Sequence, residues 1–411
     1  MKPFIISACL LLTFAGSHAQ RICATEAYSR TVSTFRNVEV LSTETGLPAR
    51  DTVPNEIITI PVIVHVLYNT AAENISLEQV MSQINVMNQD FRLLNTDRSL
   101  IPAAFKGAAA DSRIMFCLAK VDPDGRSTTG INRKATSKTF FTADDAMKFK
   151  AQGGADAWDS KRYLNIWVCR IFGRTLGYAT PPGGDATKDG VVITYNVFGT
   201  TGNVTSSFNK GRTTTHEVAH WLGLKHIWGD DYCGDDGVGD TPQQKSYNFD
   251  CPSFPRMSNC TSNATGDMFM NFMDLTGDAC MNMFTLGQKN KMRAAFALNG
   301  PRNSILRSYQ CDASLASGGP TPEDSVAVAR PADEVSVYPN PVVDVLNIQS
   351  KQSQTLKGKT AMLLTIAGKP VFQKMLQSNN EKINIGNLPP GLYMLSIGDA
   401  QGRSNFKFVK M

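Results

Sequence analysis

The segment H-E-V-A-H-W-L-G-L-K-H, running from His216 to His226, decides how this chain is read. Residues four apart on a helix project from one face, so His216 and His220 can each offer a ring nitrogen to one metal ion at roughly 2.0 to 2.1 Å. Glu217 stands beside them. A third ligand cannot follow on the same helix, and Gly223 is the residue that tolerates the left-handed backbone of a turn, bringing His226 back as the third imidazole. Three neutral rings leave the ion its charge and an open fourth position for water, with Glu217 placed to take a proton from it. That arrangement predicts a zinc hydrolase. The chain holds five histidines, and three of them are these, which argues against an amphipathic core helix with stray histidines.

Around this segment the chain has 411 residues, 42% of them hydrophobic, with a net charge of +5. That is more than one ordinary domain and the composition of a folded globular protein. The charge is modest and spread out, with no basic cluster interleaved with aromatics, so nucleic acid is not an expected partner. Lys2, the apolar run from Phe4 to Phe14 and Ser17-His18-Ala19 read as a secretory signal over 1–19, too short for a membrane anchor; no later stretch is apolar for long enough to span a bilayer. Export turns the cysteines into a disulfide question, and with Cys9 lost, eight remain: Cys23, Cys117, Cys169, Cys233, Cys251, Cys260, Cys280 and Cys311. Cys117 in I-M-F-C-L-A and Cys169 in N-I-W-V-C-R both lie in strand-like runs, and a bridge between them across neighbouring strands is the expectation.

Residues 20–49 are polar and aperiodic and read as a propeptide. I-I-T-I-P-V-I-V-H-V-L-Y, Ile57 to Tyr68, is rich in β-branched residues and predicts a central strand, with His65 a half-buried member. Ser76 and Gln79 suggest a capping box before a helix carrying Leu77, Val80, Ile84, Met87 and Phe91 at helical spacing. Further strands are expected near Ile114 to Ala119, Tyr163 to Val168 and Val191 to Tyr195, and the histidine helix from about Thr213 to Leu222. The fold class is therefore α+β: a twisted mixed sheet with a backing helix and an active-site helix over 50–312, and an irregular lower half. Gly, Ser and Pro mark 313–334 as a linker. From Val335, alternating apolar residues broken by Asn, Pro and Gly predict a small all-β sandwich over 335–411.

H-E-x-x-H-x-x-G-x-x-H resembles the metzincin metallopeptidases, which also carry a methionine turn beneath the metal; Met273 is the candidate here. L-N-I-W-V-C-R at 164–170, D-G-V-V-I at 189–193, D-T-P at 240–242, M-N-F-M-D at 270–274 and F-T-L-G-Q-K-N-K-M-R at 284–293 narrow the resemblance to the pappalysin family, its ulilysin-like microbial branch, over roughly 57–311. The carboxy-terminal stretch, with Y-P-N-P and a basic last strand, resembles the sorting domain of the type IX secretion system. That resemblance implies passage through the periplasm and outer membrane, to a secreted or surface-attached state, with the secretion machinery as a partner.

The family resemblance implies an endopeptidase acting on proteins and peptides, with disulfides Cys233 to Cys260 and Cys251 to Cys280 stapling the lower region. It implies that Asp278, at the base of the pocket receiving the residue after the scissile bond, favours Arg or Lys. Calcium is implied at Asp236, the Val238 carbonyl, Asp240 and Thr241, with Asp230 or Asp231 less clearly placed; a charged surface loop is the plainer alternative. Related zymogens hold a prosegment cysteine on the metal, and Cys23 is favoured for that role over a disulfide with Cys311. An Arg-selective enzyme could trim itself between Ala49 and Arg50 and release its sorting domain between Ala329 and Arg330. One departure stands out: many metzincins of this kind place a tyrosine two residues after the methionine, and here the residue is Leu275. The rival reading is accordingly a zinc-bearing surface adhesin of weak or no activity; a zinc amidase acting on small substrates is a third.

Overall fold

The computed structural model describes residues 21–31, 56–261, 263–308, 310–313, 335–350, 356–365, 370–399 and 402–410. The expected signal peptide, residues 32–49 of the propeptide, the bonds Ala49–Arg50 and Ala329–Arg330, and all of the linker after its first residue lie outside the described residues. The chain divides into two compact units, Met1–Asp324 and Ser325–Met411.

The first unit is built on a seven-stranded sheet. Its strands are β1 (Ile22–Cys23), β2 (Ile58–Tyr68), β3 (Ile114–Leu118), β4 (Ile131–Ala135), β5 (Leu164–Cys169), β6 (Thr175–Ala179) and β7 (Val191–Thr194). They lie in the order β1-β6-β7-β5-β2-β3, with β4 continuing the β3 edge against the end of β2. Every pairing is parallel except that of β6 with β7, so β6 runs against its neighbour at the rim. Strand β2 is the expected central strand, almost wholly buried, as a parallel strand covered on both faces must be. Pro61 is tolerated within it for a positional reason. Ile58 donates to Arg113 and Val62 accepts from Ala119, both toward β3, so Pro61 faces the β5 side, where pairing starts only at Val62.

Helix α2 (Leu77–Phe91) backs this sheet, and α3 (Arg212–Trp221) lies beside it. Val80, Ile84, Met87 and Phe91 are buried in one core with Val62, Val64 and Val66 of β2 and Val218, Ala219 and Trp221 of α3, the Val, Ile, Met and Phe side chains each contributing about 1.5–3 kcal/mol by burial. Leu77, placed by its spacing on that face, is exposed instead. Only half of the capping box forms: Ser76 accepts from the Gln79 N–H, but the Gln79 side chain donates to the carbonyls of Tyr195 and Phe198. A complete box does form at Thr285 and Gln288, ahead of α4 (Leu286–Ala294).

Disulfides join Cys233 to Cys260, Cys251 to Cys280 and Cys117 to Cys311. The expected Cys117–Cys169 bridge is therefore corrected. Strands β3 and β5 flank β2 on opposite sides, about 9.6 Å apart, beyond a disulfide's reach of ~7 Å between Cα atoms. Cys169 is a buried thiol, and Cys23 is the other free cysteine among the described residues. His65 is also more enclosed than expected, fully buried and stacked on Trp167.

The second unit is a small sandwich. One sheet holds β8 (Val335–Tyr338), β9 (Val345–Ser350) and β12 (Asn380–Asn384); the other holds β10 (Thr360–Thr365), β11 (Pro370–Met375), β13 (Gly391–Asp399) and β14 (Gly402–Lys410). Leu346, Ile348 and Ile383 from the first sheet share a core with Leu363, Leu395 and Phe408 from the second. Alternating residues point inward, the period that the sequence shows.

Candidate metal centre and substrate cleft

Helix α3 carries R-T-T-T-H-E-V-A-H-W, a sequence with little helix propensity and no exposed residue. Tertiary partners hold it. At its start, Arg212 pairs with Asp90 and Asp97 and lies over the Phe272 ring, while Thr215 donates to Asp90. At its end, Trp221 donates to Asp189, which is in turn paired with Arg302 at 2.6 Å, both members buried. The chain then turns at Gly223, whose φ of 98° is the left-handed conformation anticipated for it, and returns as His226.

The three histidines converge. Nε2 of His220 lies 3.1 Å from Nε2 of His216 and 3.2 Å from Nε2 of His226. Each Nδ1–H is committed elsewhere: His216 donates to the Phe272 carbonyl at 2.7 Å, His220 to the Leu224 carbonyl at 2.8 Å, and His226 to the Asp230 carboxylate. All three Nε2 atoms are therefore bare acceptors facing one another, with no proton between them to share. Tetrahedral ligands at about 2.05 Å from an ion stand about 3.3 Å apart, so the tripod fits a transition metal. Burial and the mutual repulsion of the rings hold His216 well below its ordinary pKa, and burial brings His220 down to about 3, keeping them neutral as ligands must be. Trp228 stacks on His226 at 4.3 Å.

Met273 lies in the tight turn 271–274, fully buried, and its carbonyl accepts from Ile227 just after His226. The same turn presents the Phe272 carbonyl to His216. Leu275 is buried, and its N–H donates to Asp274, so this position supplies neither a hydroxyl nor a free amide.

Glu217 is buried against β6, where Gly177 is required: a Cβ there would stand 2.9 Å from Glu217 Cγ. Burial raises the Glu217 carboxyl to about 7, opposed by hydrogen bonds from Thr25 Oγ1 (2.8 Å) and the Cys23 thiol (3.5 Å).

Both of those donors come from the amino-terminal segment. Strand β1 adds to β6 in parallel, with Cys23 opposite Gly177, and α1 (Thr25–Thr31) follows. Cys23 Sγ joins the ligand nitrogens of His216, His220 and His226 in one cluster, all within 4.8 Å of one another. Burial, and next the Glu217 charge, raise its thiol pKa, a balance that a metal cation alongside would reverse.

Arg21, which sequence reasoning overlooked, lies against Asp278. The two side chains form an ion pair at 1% exposure each, and Arg21 also donates to Thr213 Oγ1 at 2.8 Å and to the Thr276 carbonyl at 3.3 Å. The other Asp278 oxygen accepts from the backbone of Lys210 and Arg212 at the start of α3. Asp278 lies two residues before Cys280, so the Cys251–Cys280 bridge anchors its loop.

In the acidic loop, Asp236 and Thr241 meet, with Thr241 Oγ1 2.9 Å from the Asp236 carboxylate and 2.7 Å from the Val238 carbonyl. Asp236 Oδ2 is buried without a protein partner, which suits a cation. Asp240 is not gathered with them: it accepts from Thr285 and from the Gly287 N–H at the head of α4. Asp230, considered for the same ion, is the partner of His226.

Three converging ring nitrogens with a buried glutamate beside them, in an α+β domain, define a metalloprotease of the metzincin type. Comparison with known proteins makes this specific. A family model described as pregnancy-associated plasma protein-A matches residues 149–297, and one described as a secretion system C-terminal sorting domain matches 336–411. Mature mirolysin of Tannerella forsythia, solved with a cleaved peptide, is 48% identical with a TM-score of 0.61, covering 64% of this chain and 100% of that one. A promirolysin mutant from the same organism is equally similar, at 48% and 0.61, over 65% of this chain and 88% of that one. An extracellular metalloprotease of Sordaria macrospora is 30% identical over 57% of this chain and 74% of its own length. The chain belongs to the pappalysin family of metalloproteases and ends in a type IX secretion sorting domain. It is exported to the cell surface or beyond, and no helix among the described residues is long and apolar enough to cross a membrane.

Proposed function

We propose that the protein is a zinc endopeptidase that cleaves proteins on the amino-terminal side of Arg or Lys and is made as a zymogen. The observation that carries the reading is the meeting of three bare Nε2 atoms beside a buried Glu217, with an arginine seated on Asp278. When bound by His216, His220 and His226, zinc supplies Lewis acidity toward a peptide carbonyl and toward water.

The chain's own groups do the rest. Glu217 takes a proton from water and delivers it to the leaving amine, a task open to a carboxyl that reaches Cys23 Sγ, itself clustered with the three ring nitrogens. The Phe272 and Leu224 carbonyls and Asp230 fix the ring tautomers, and Met273 gives the tripod an apolar floor. Asp278 binds the guanidinium or ammonium of the residue after the scissile bond, and Arg21 marks that place.

Direction explains latency. The amino-terminal segment passes from Arg21 in the pocket to Cys23 at the tripod, parallel to β6. A substrate whose pocket residue follows the scissile bond must run the opposite way. The segment therefore fills the cleft in reverse, and the Cys23 thiolate would hold zinc together with His216, His220 and His226 in the precursor. Residues 20–49 are the propeptide in this reading, removed at Ala49–Arg50, and release at Ala329–Arg330 follows engagement of the type IX machinery by 335–411. Calcium at Asp236, Val238 and Thr241 stabilises the acidic loop; with its carboxylate turned to α4, Asp240 contributes least.

The test is a peptide-library profile of trimmed protein with elemental analysis. Wild type should hold zinc and select Arg or Lys after the cleaved bond, while Glu217→Ala should keep the metal and lose at least about 10⁴-fold in kcat. Full activity of Glu217→Ala, or absence of zinc, overturns the assignment.

A further inference from the structure

Prosegment helix α1 exposes Ala27, Arg30 and Thr31, yet Tyr28 on the same helix is only 4% exposed. Its ring lies 4.8 Å from Tyr178, its hydroxyl donates to Asp145 Oδ2 at 2.8 Å, and Lys148 Nζ stands 4.9 Å from its centroid. Apart from Tyr28 and Ala24, the apolar cluster around it comes from residues after the propeptide, among them Phe141, Met147, Trp167, Tyr178 and Val192.

The walls of this socket hold without Tyr28. Asp145 is paired with Lys148 at 2.9 Å and with Lys188 at 3.3 Å, and Tyr178 donates to its other oxygen. Lys148 also donates to the Lys188 carbonyl at 2.8 Å and to Thr180 Oγ1 at 3.0 Å. Loss of the propeptide therefore leaves a preformed aromatic cavity, with one carboxylate oxygen deprived of its hydroxyl donor.

Its place along the cleft follows from β6. Thr175 is opposite Ile22, Gly177 is opposite Cys23, and Ala179 N–H donates to Thr25 Oγ1, so the prosegment moves away from Asp278 as β6 advances toward Tyr178. Taking the substrate direction proposed above, on which this step rests, residues before the scissile bond lie on the Tyr28 side of the metal. We infer that the socket of Asp145, Lys148 and Tyr178 is a subsite for a tyrosine side chain of the substrate, within about four residues before the scissile bond. Tyr28 fills it in the zymogen as Arg21 fills the Asp278 pocket.

Two measurements test this on trimmed protein. In a peptide library randomised on both sides of the cleaved bond, Tyr at one preceding position should raise kcat/KM about tenfold over Ala and about threefold over Phe. Synthetic peptides spanning residues 20–31, with Tyr28 intact or changed by Y28F or Y28A, should bind trimmed Glu217→Ala protein in that order, the Y28A peptide about tenfold more weakly than the parent. Cys23 is common to all three, so metal ligation cancels. Selection of Arg with no preference for Tyr at any preceding position overturns the subsite and leaves the protease reading intact. Preference for Tyr without selection of Arg or Lys supports the subsite and overturns the specificity reading. Equal affinities of the three peptides, or no difference between Tyr and Phe in both measurements, overturn recognition through Asp145.

Discussion

Arg21 and Asp278, 257 residues apart in sequence, form a buried ion pair at the start of α3, the helix that carries His216. An ion pair so enclosed is held by its surroundings: the Lys210 and Arg212 amides take the second carboxylate oxygen, and Thr213 and the Thr276 carbonyl take further guanidinium donors. Breaking it from either side leaves an uncompensated buried charge.

Asp278→Ala in the trimmed enzyme should lower kcat/KM for substrates with Arg after the scissile bond by about a hundredfold, with a far smaller effect on substrates carrying Ala there. Steady-state kinetics on matched peptides read this directly. An equal loss on both substrates would make Asp278 a structural residue only.

Cys23→Ala should give a precursor that activates early, because the sulfur beside the tripod is lost while Arg21 still holds the segment. Arg21→Ala should do the same by loosening the other anchor. The lag before activity appears, followed with a fluorogenic peptide, is the measurement, and an unchanged lag for both variants removes the latency role.

His65 predicts an acid limb of stability. Its Nε2–H donates to Asn165 and its Nδ1 accepts from Asn132, which fits a neutral ring, and burial brings its pKa down to about 4. The unfolded chain takes up a proton near pH 6.5 that the folded ring refuses, so stability contributed above pH 6.5 is lost as pH falls toward 4, by up to about 3 kcal/mol. Melting temperatures from pH 7 to 4 should fall less steeply for His65→Gln than for wild type.

Raising free calcium at constant zinc should raise the melting temperature, since an ion bound only by the folded state stabilises it by mass action. Asp236→Asn should abolish the rise by weakening the buried, unpartnered oxygen. A calcium response unchanged in that variant places the ion elsewhere.

Local chemistry wrote much of this protein into its sequence. Eleven residues from His216 to His226 carry the tripod and its turn because helical spacing and a glycine's left-handed φ act over short range. Strand β2, helix α2 and the carboxy-terminal sandwich follow from hydrophobic period in the same way, although Leu77 turned outward, and β4, with one buried residue, and β6, interrupted by Gly177, gave too weak an apolar pattern to be read. What the tertiary structure alone decided are the long-range meetings: Cys117 with Cys311, since β2 separates Cys117 from Cys169; Arg21 with Asp278; and Tyr28 with Asp145. No periodicity reports such pairs, because they depend on which strand edge is left open and which chain segment comes to lie on it.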